Sequence, residues 1–386
     1  MTAATDVSVS DERPQQACLA RWRAATSEQQ TEVMPRGAVA VSCSASPGKG
    51  GLGRHLQEIL TALERGGQQS FCISGVSDAH ARPAGQGARR PLVELSRMAA
   101  AASRLPLSQG LRALVHAASF DREAAGRVPG AEHLVAFNGQ ALEQLRAARR
   151  AGYLSVALVS ANSHMRRVVR QHERARQRYP LEGSWTRWLL RRNLSEYREA
   201  DLIYVASRYI RESFLEEGFS DELMADFPLT PHPRFDCAST RASSGEFEIV
   251  YSGSLAVHKG VPLLIDAFRR LPHADMRLKL VGGWGTRGMR RFVEGAVAAD
   301  PRITAGPGDP LEHLRTASLC VHPAYEDGFA YAPAEALASG VPVIVSEDTG
   351  MKDLIDSAAA GLVLPTGDMD QLVEAIEAAY RGELFG

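Results

Sequence analysis

Lysine is scarce in this chain of 386 residues: of its 44 basic residues only four are Lys, at positions 49, 259, 279 and 352. Acidic residues number 45, which leaves a formal charge of −1. This near-zero net charge argues against nonspecific binding to nucleic acid. Since Arg is the default cation of the chain, a Lys that stands inside a motif is a stronger functional candidate than an Arg would be.

Paired cysteines and long apolar runs are also missing. The five Cys, at 18, 43, 72, 237 and 320, have the spacing of neither a disulfide framework nor a zinc site. No stretch approaches the roughly 20 apolar residues of a membrane span. The first residues lack the basic and apolar regions of a signal peptide. With an apolar content of 45%, which argues against bulk disorder, these absences predict a soluble, cytoplasmic protein.

Two halves of the chain each alternate short apolar runs with amphipathic stretches. Residues 1–36 are polar and are predicted to be a tail with one short helix. The segment Phe227–Pro233, with three Pro in seven residues, is typical of a stiff connection between a domain over 37–228 and one over 229–386. Strand–helix alternation in both predicts an α/β protein with two doubly wound parallel sheets. Ligands of such sheets bind beyond the carboxyl ends of the strands, here in the cleft between the domains.

The pattern also places the individual elements. Strands are predicted at Val39–Cys43, Ser70–Ser74, His133–Phe137, Tyr153–Ser160, Asp201–Ala206, Phe247–Ser252, Met276–Val281, Leu319–His322, Val341–Ser346 and Gly361–Leu364. Helices are predicted from Leu52 to Leu63 and at 261–270, 287–298, 310–317, 332–339 and 370–381, and a loop at 79–91.

The strongest motif runs from Tyr325 to Ile344. It turns on Gly328 after a strand and opens a helix with Pro333 in the first turn, where the missing N–H costs nothing. The N–H groups around 329–332 would be unpaired donors at the positive end of a helix, which suits a phosphate. Glu335, in the first turns, could accept from both hydroxyls of a ribose. Asp327 precedes it by eight residues, and a plain acid-capped helix start is the alternative.

The second motif is Tyr251–Gly260. In it a predicted strand ends in a glycine turn, and Lys259 stands just before the next predicted helix. A cation there suits the negative charge of a phosphate group. The alternative is a solvated surface Lys. The scarcity of Lys in the chain weakens that alternative.

Two weaker motifs lie in the N-terminal half. The loop Pro47–His55 is Gly-rich, but Arg54-His55 stands where a Walker A loop has Lys-Ser/Thr, and no acidic residue completes a dinucleotide fingerprint. The loop Val159–His164 follows an apolar strand, and a capping Ser with a solvated His is the alternative to a functional role. Asn138, which follows another strand, is a further candidate.

At these motifs the sequence resembles the retaining GT-B glycosyltransferases of family 4 (glycosyl transferases group 1), which use nucleotide-sugar donors. Asp327 stands at the first Glu of their Glu-x7-Glu motif, Ala330 at its second Gly, and Glu335 matches its second Glu. The resemblance implies a GT-B fold of two Rossmann-like domains facing a cleft, with the first acid near the donor sugar and Glu335 on the ribose. Ser254 replaces an Arg that many members carry, and the Lys is retained as Lys259.

The resemblance implies a set of site residues. The catalytic candidates are Lys259, Asp327 and His164; the donor-binding candidates are Gly51, Gly253, Ser254, Lys259, Gly328, Phe329, Ala330, Tyr331 and Glu335; the acceptor-side candidates are Asn138, Asn162 and Ser163.

The implied activity is retaining transfer of a sugar from a UDP-, GDP- or dTDP-linked donor to a hydroxyl of a small molecule, a glycan or a lipid-linked acceptor. No tightly bound cofactor and no metal are expected, because no D-x-D pair stands where a divalent cation would bridge phosphates. A nucleotide-sugar epimerase, a sugar phosphorylase and a noncatalytic GT-B-like binding module remain as alternatives. The Arg-rich stretch 166–198, with Trp185 and Trp188 interleaved, suggests peripheral contact with the inner membrane face as a minority hypothesis.

Overall fold

The computed structural model describes residues 14–75, 92–95, 109–128, 130–184, 187–236, 245–358 and 361–385. The loop predicted at 79–91, Trp185 and Cys237 lie outside these ranges. Within them, no helix is both long enough and apolar enough to cross a bilayer.

Two parallel sheets form the framework, one in each half of the chain. The first has the order β3-β2-β1-β4-β5-β6-β7, with strands Ala38–Cys43 (β1), Gln69–Gly75 (β2), Leu92–Leu95 (β3), His133–Phe137 (β4), Ser155–Ser160 (β5), Leu202–Val205 (β6) and Met224–Asp226 (β7). The second has the order β10-β9-β8-β11-β12-β13, with strands Phe247–Ser252 (β8), Met276–Val281 (β9), Ile303–Gly306 (β10), Leu319–His322 (β11), Val343–Ser346 (β12) and Gly361–Leu364 (β13).

The strand order changes direction beside the first strand of each sheet, between β1 and β4 and between β8 and β11. Loops that leave the carboxyl ends of such neighbouring strands diverge to opposite faces and open a crevice between them. The loops after β8 and β11 hold Lys259 and Asp327, so the fold brings the two strongest sequence motifs to one switch point.

Helices cover the sheets at Gly50–Arg65, Gln109–Ala125, Leu142–Arg150, Met165–Arg178, Arg187–Glu199, Arg208–Leu215, Val261–Arg269, Arg287–Ala299, Pro310–Leu314, Tyr331–Ala338, Lys352–Ala358 and Met369–Tyr380. A further helix, Pro14–Glu32, precedes the first strand and occupies much of the segment predicted as a polar tail with one short helix. Arg65 donates to the carbonyl of Ser27 at 2.9 Å, which ties this helix to Gly50–Arg65.

All ten predicted strands are present, and the short strands β3, β7 and β10 are additional. Each of the three is an edge strand of its sheet and has three or four residues. An edge strand is covered less completely than a central one, so its sequence lacks the continuous apolar run that marks strands buried on both faces. Central β1 has that run, because its last five residues are all buried.

The N-terminal domain reaches onto the C-terminal one through the helix Met165–Arg178 and the residues after it. Gln171 donates to Asp348 at 2.7 Å, and Arg174 donates to the carbonyl of Thr366 at 2.7 Å. The Tyr179 hydroxyl donates to Asp266 at 2.8 Å. These contacts fix how the two sheets face each other across the predicted cleft.

Candidate functional site

Lys259 and Asp327 meet beyond the carboxyl ends of β8 and β11. The Lys259 Nζ lies 2.8 Å from Asp327 Oδ2 and donates to the Glu326 carbonyl at 3.1 Å. Gly260, which follows the lysine, has φ +73° and lies against the backbone of Pro323, so a side chain there would clash with that carbonyl oxygen. Glycine is therefore required at this turn, and the turn positions Lys259 next to the acid.

His322 also contacts Asp327. Its Nε2 lies 3.1 Å from Asp327 Oδ2, and its ring stacks on that of Tyr251 at 5.8 Å between centroids. Burial alone would raise the pKa of Asp327, but the Lys259 ammonium and the His322 hydrogen bond outweigh it and hold that pKa well below its usual range. These contacts favour the ionised form of Asp327, and Lys259 is its counter-ion.

The helix Tyr331–Ala338 begins directly at this group. Ala330, before its first residue, has φ +64°, in the left-handed region, and its N–H donates to Asp327 Oδ1 at 3.0 Å. The family motif has Gly at this position, and the conformation explains why, since a left-handed backbone suits Gly better than Ala. Phe329 and Tyr331 are both buried here, with ring centroids 5.0 Å apart.

Gly328 lies at a close approach of the two domains. A Cβ on Gly328 would clash with the carbonyl oxygen of Ala161 in the loop after β5. The Ser207 hydroxyl of the N-terminal domain donates to the Gly328 carbonyl at 2.7 Å. The glycine that the sequence identifies as a turn therefore also allows the two backbones to approach each other.

Glu335, the predicted ribose ligand, is buried and contacts Arg54 from the facing domain. The Arg54 guanidinium also lies 4.1 Å from the centre of the Tyr331 ring. The Tyr331 hydroxyl donates to Glu58 at 2.8 Å, and burial raises the pKa of this glutamate. The helix Gly50–Arg65 of the N-terminal domain and the motif helix, Tyr331–Ala338, of the C-terminal domain thus face each other through these four side chains.

The two predicted glycine turns lie at the rim of the site. Gly51 is exposed in the first turn of the helix Gly50–Arg65. Gly253 has φ +139°, and Ser254 beside it is exposed and accepts from the Tyr251 hydroxyl at 2.8 Å through its carbonyl. Ser254 brings no charge to the place where Arg stands in many family members.

The predicted acceptor-side residues lie in different surroundings. Ser163 donates from both its N–H and its hydroxyl to Glu326 Oε1, at 2.9 and 3.0 Å, so it joins the N-terminal loop to the C-terminal motif. Asn162 is exposed beside it. The Asn138 side chain donates to Glu196 at 3.0 Å and accepts from the Tyr197 hydroxyl at 3.2 Å, so it is held within its own domain.

The ring of His164 packs among aromatic residues of the N-terminal domain. Its centroid lies 4.9, 5.0 and 5.5 Å from those of Tyr197, Phe214 and Phe219. It accepts from the N–H of Arg166, as the cap of its helix, and burial lowers its pKa to about 4. These contacts describe a neutral packing residue, and the catalytic role of His164 stays a prediction.

Sequence reasoning missed His322 and Arg54. The sequence pattern predicts His322 only as the last residue of a strand, and Arg54 only as a residue that is incompatible with a Walker A loop. The available signals are a polar residue at the carboxyl end of a switch-point strand and a cation in the first turns of the helix after a glycine loop. Among the described residues, no group of three or more His, Cys, Asp or Glu is arranged to hold a metal ion.

Most of the ten Arg of 166–198 form ion pairs or hydrogen bonds within the protein. Arg166 and Arg170 contact Glu217, Arg167 contacts Glu216, Arg176 contacts Glu173, Arg192 contacts Asp121, and Arg174 and Arg178 donate to backbone carbonyls of Thr366 and Gly367. Trp188 is 61% exposed, with the Arg191 guanidinium 5.5 Å from its ring. The basic surface is therefore smaller than the composition suggests, and membrane contact stays a hypothesis.

Residues 235–384 match the family described as glycosyl transferases group 1. A stretch of 153 residues is 30% identical to the D-inositol 3-phosphate glycosyltransferase of Nocardia farcinica and covers 35% of this chain and 34% of that protein. Another of 198 residues is 28% identical to the GDP-mannose-dependent alpha-(1-6)-phosphatidylinositol dimannoside mannosyltransferase of Mycobacterium tuberculosis and covers 47% of this chain and 48% of that protein. The chain thus spans a third to a half of the length of these curated relatives.

Solved structures match over nearly the whole chain. Sucrose-phosphate synthase from Thermosynechococcus elongatus superposes with a TM-score of 0.70 at 19% identity and covers 90% of each chain. Anabaena HepE in complex with UDP and glucose superposes with a TM-score of 0.65 at 15% identity, covering 90% of this chain and 91% of that one. At these identities the likeness concerns the fold, and it confirms the predicted class of two Rossmann-like domains in a GT-B arrangement.

Proposed function

We propose, from the glycosyl transferases group 1 domain at residues 235–384 and the GT-B fold, that this protein is a retaining glycosyltransferase with a nucleotide-diphosphate sugar as donor. The observation that carries the proposal is the meeting of Lys259, Asp327 and Glu335 around the start of one buried helix at the switch point of the second sheet. A cation and a helix start suit a diphosphate, and a buried carboxylate suits the hydroxyls of a ribose.

In this proposal the donor lies in the cleft with its ribose hydroxyls on Glu335. Its phosphates lie between Lys259 and the start of the helix Tyr331–Ala338. As the bond from the sugar to the β-phosphate oxygen breaks, negative charge grows on the diphosphate, and the ammonium and the helix start stabilise it. Asp327 holds Lys259 in place through their 2.8 Å contact.

Retention follows if the acceptor hydroxyl attacks from the face that the diphosphate leaves. The new bond joins the acceptor oxygen to the anomeric carbon, and the hydroxyl proton passes to a β-phosphate oxygen. This route requires no protein nucleophile. The N-terminal domain then supplies the acceptor side, with Asn138, Asn162 and Ser163 as the candidates.

The donor base is proposed to be one of three, uracil, guanine or thymine. HepE is described in complex with UDP and glucose, and the mycobacterial relative is described as GDP-mannose-dependent, so both classes belong in a screen. Peripheral contact with the inner membrane face through the Arg-rich stretch 166–198, which includes the exposed Trp188, is a second, separate proposal. Flotation with anionic vesicles tests it, and absence of binding would dismiss it.

A thermal-shift screen with UDP, GDP, dTDP and their sugars tests the main proposal. A ligand that binds only the folded state stabilises it by an amount that grows with its concentration over its Kd, about 2.7 kcal/mol at 100 times Kd. We expect one diphosphate to raise Tm, and the same diphosphate-sugar to be consumed when a suitable hydroxyl is supplied. Absence of a shift with all three diphosphates at millimolar concentration contradicts the proposal.

A further inference from the structure

Arg54 bridges the two halves of the proposed donor site. It lies in the helix Gly50–Arg65, directly after the glycine loop of the N-terminal domain, and its Nη1 contacts Glu335 Oε1 of the C-terminal domain. Its guanidinium also lies over the ring of Tyr331, the first residue of the motif helix. The side chain therefore stands between the position proposed for the ribose and the helix start proposed for the phosphates.

The charge balance of the site calls for a second cation. Lys259 is neutralised by Asp327 at 2.8 Å, and Ser254 in the preceding glycine turn is uncharged. Glu335 adds another negative charge. A nucleoside diphosphate brings at least two more, and a low-dielectric site binds an anion well only when paired cations compensate it. Arg54 comes to the same helix start from the facing domain and offsets the charge of Glu335, so that Lys259, Asp327, Arg54 and Glu335 together carry no net negative charge that would oppose the diphosphate.

The guanidinium has donors left for a phosphate. A guanidinium carries five N–H groups in a planar fork, and the contact with Glu335 is made from Nη1. The Arg54 side chain is 27% exposed, whereas that of Glu335 is 4% exposed, so a ligand in the cleft can reach the arginine although the carboxylate is almost covered. Burial also lowers the pKa of Arg54, as expected of a partly desolvated cation, and such a cation gains most from a nearby anion.

We propose that Arg54 is a donor-binding residue, which contacts the diphosphate beside Lys259 while it holds Glu335 in position for the ribose. This inference rests on the proposed function and assigns a specific partner to the donor phosphates.

Titration calorimetry with UDP, GDP, dTDP and the three corresponding nucleosides tests the assignment. We compare the wild type with Arg54→Gln, Arg54→Lys and Arg65→Gln; Arg65 lies in the last turn of the same helix and serves as the matched control. We expect Arg54→Gln to weaken the best diphosphate roughly 10- to 100-fold, as for loss of a charge-assisted hydrogen bond. The matching nucleoside should lose much less, Arg54→Lys should restore part of the affinity, and Arg65→Gln should change neither.

Equal losses for the diphosphate and its nucleoside would overturn the inference, because Arg54 would then act only through Glu335. An unchanged diphosphate affinity in Arg54→Gln would overturn it as well. If Glu335→Ala weakens the diphosphate and Arg54→Gln does not, the proposed function stands and only this inference fails. If the wild type binds none of the three diphosphates, the proposed function fails and the inference fails with it. Arg54→Lys, which keeps the charge beside Glu335, guards against a folding defect in the glutamine variant.

Discussion

Asp327 and Lys259 form an ion pair across the switch point of the second sheet, with 2.8 Å between Oδ2 and Nζ. The two residues follow β8 and β11, which are neighbouring parallel strands. They therefore meet at one edge of the sheet, although β9, β10 and their helices lie between them in sequence. This pair sets the electrostatics of the candidate site. It fixes the ammonium in place, and it also removes much of the net charge that a diphosphate would meet.

Replacing Lys259 by Ala should reduce kcat by at least about 100-fold, since removal of one preorganised donor to a developing negative charge has an effect of this size. Lys259→Arg should recover a small part, because the longer, planar group fits the same place poorly. Lys352→Ala is the control for loss of a lysine; its Nζ contacts Glu212 at 3.4 Å on another helix. Initial rates with the donor found in the screen measure all three, and full activity in Lys259→Ala would refute the assignment.

Asp327→Asn should have opposite effects on stability and on diphosphate binding. The free energy of unfolding should fall by roughly 1–3 kcal/mol, less than for a fully buried pair, since the two side chains keep 17% and 19% of their surface exposed. Diphosphate affinity should rise, because Lys259 is no longer neutralised. Urea unfolding with and without the diphosphate measures both effects. Weaker diphosphate binding in Asp327→Asn would show that the carboxylate positions the ammonium more than it neutralises it.

The sequence identifies Lys259 and Asp327 separately as site candidates, because each stands in a local motif after a strand and before a helix, but it does not predict their ion pair. The contact between Arg54 and Glu335 carries no such local signal, since 281 residues separate them and only the packing of the two domains brings them together. His322 gave no signal either, because one polar residue at a strand end is common. The short edge strands β3, β7 and β10 were not predicted for a related reason: three or four residues are too few to show a period.

Gly328→Ala should separate the domains locally and lower both stability and activity. The new methyl group would clash with the Ala161 carbonyl, where backbone, not a flexible side chain, is the obstacle. We expect a loss of about 1–3 kcal/mol, as for other overpacked contacts. Gly295→Ala is the matched control: it lies within the helix Arg287–Ala299 with no atom near the added methyl, and it should gain up to about 1 kcal/mol. Equal Tm values for the two variants would contradict the close approach.

Buried neutral histidines should make the protein less stable in mild acid. Burial lowers the pKa of His55 to about 3 and that of His164 to about 4, from an ordinary value of 6.5. Between the folded and the unfolded pKa the unfolded chain binds protons that the folded chain does not. The stability that the neutral imidazoles contribute is therefore complete above pH 6.5 and is lost as the pH falls toward 3. Urea unfolding at pH 7 and pH 5 measures the slope.

His55→Phe isolates one of these contributions. The imidazole lies between the rings of Phe137 and Phe227, at 5.2 and 5.8 Å, and its Nε2 is buried without a hydrogen-bond partner among the described residues. A phenyl ring can keep this packing and has no proton to gain. The difference in unfolding free energy between pH 7 and pH 5 should therefore shrink by about 2 kcal/mol, the linkage expected for one imidazole over this range. A variant with the same pH dependence as the wild type would show that His55 is already solvated when the protein is folded, and that its burial between the two rings does not persist in solution.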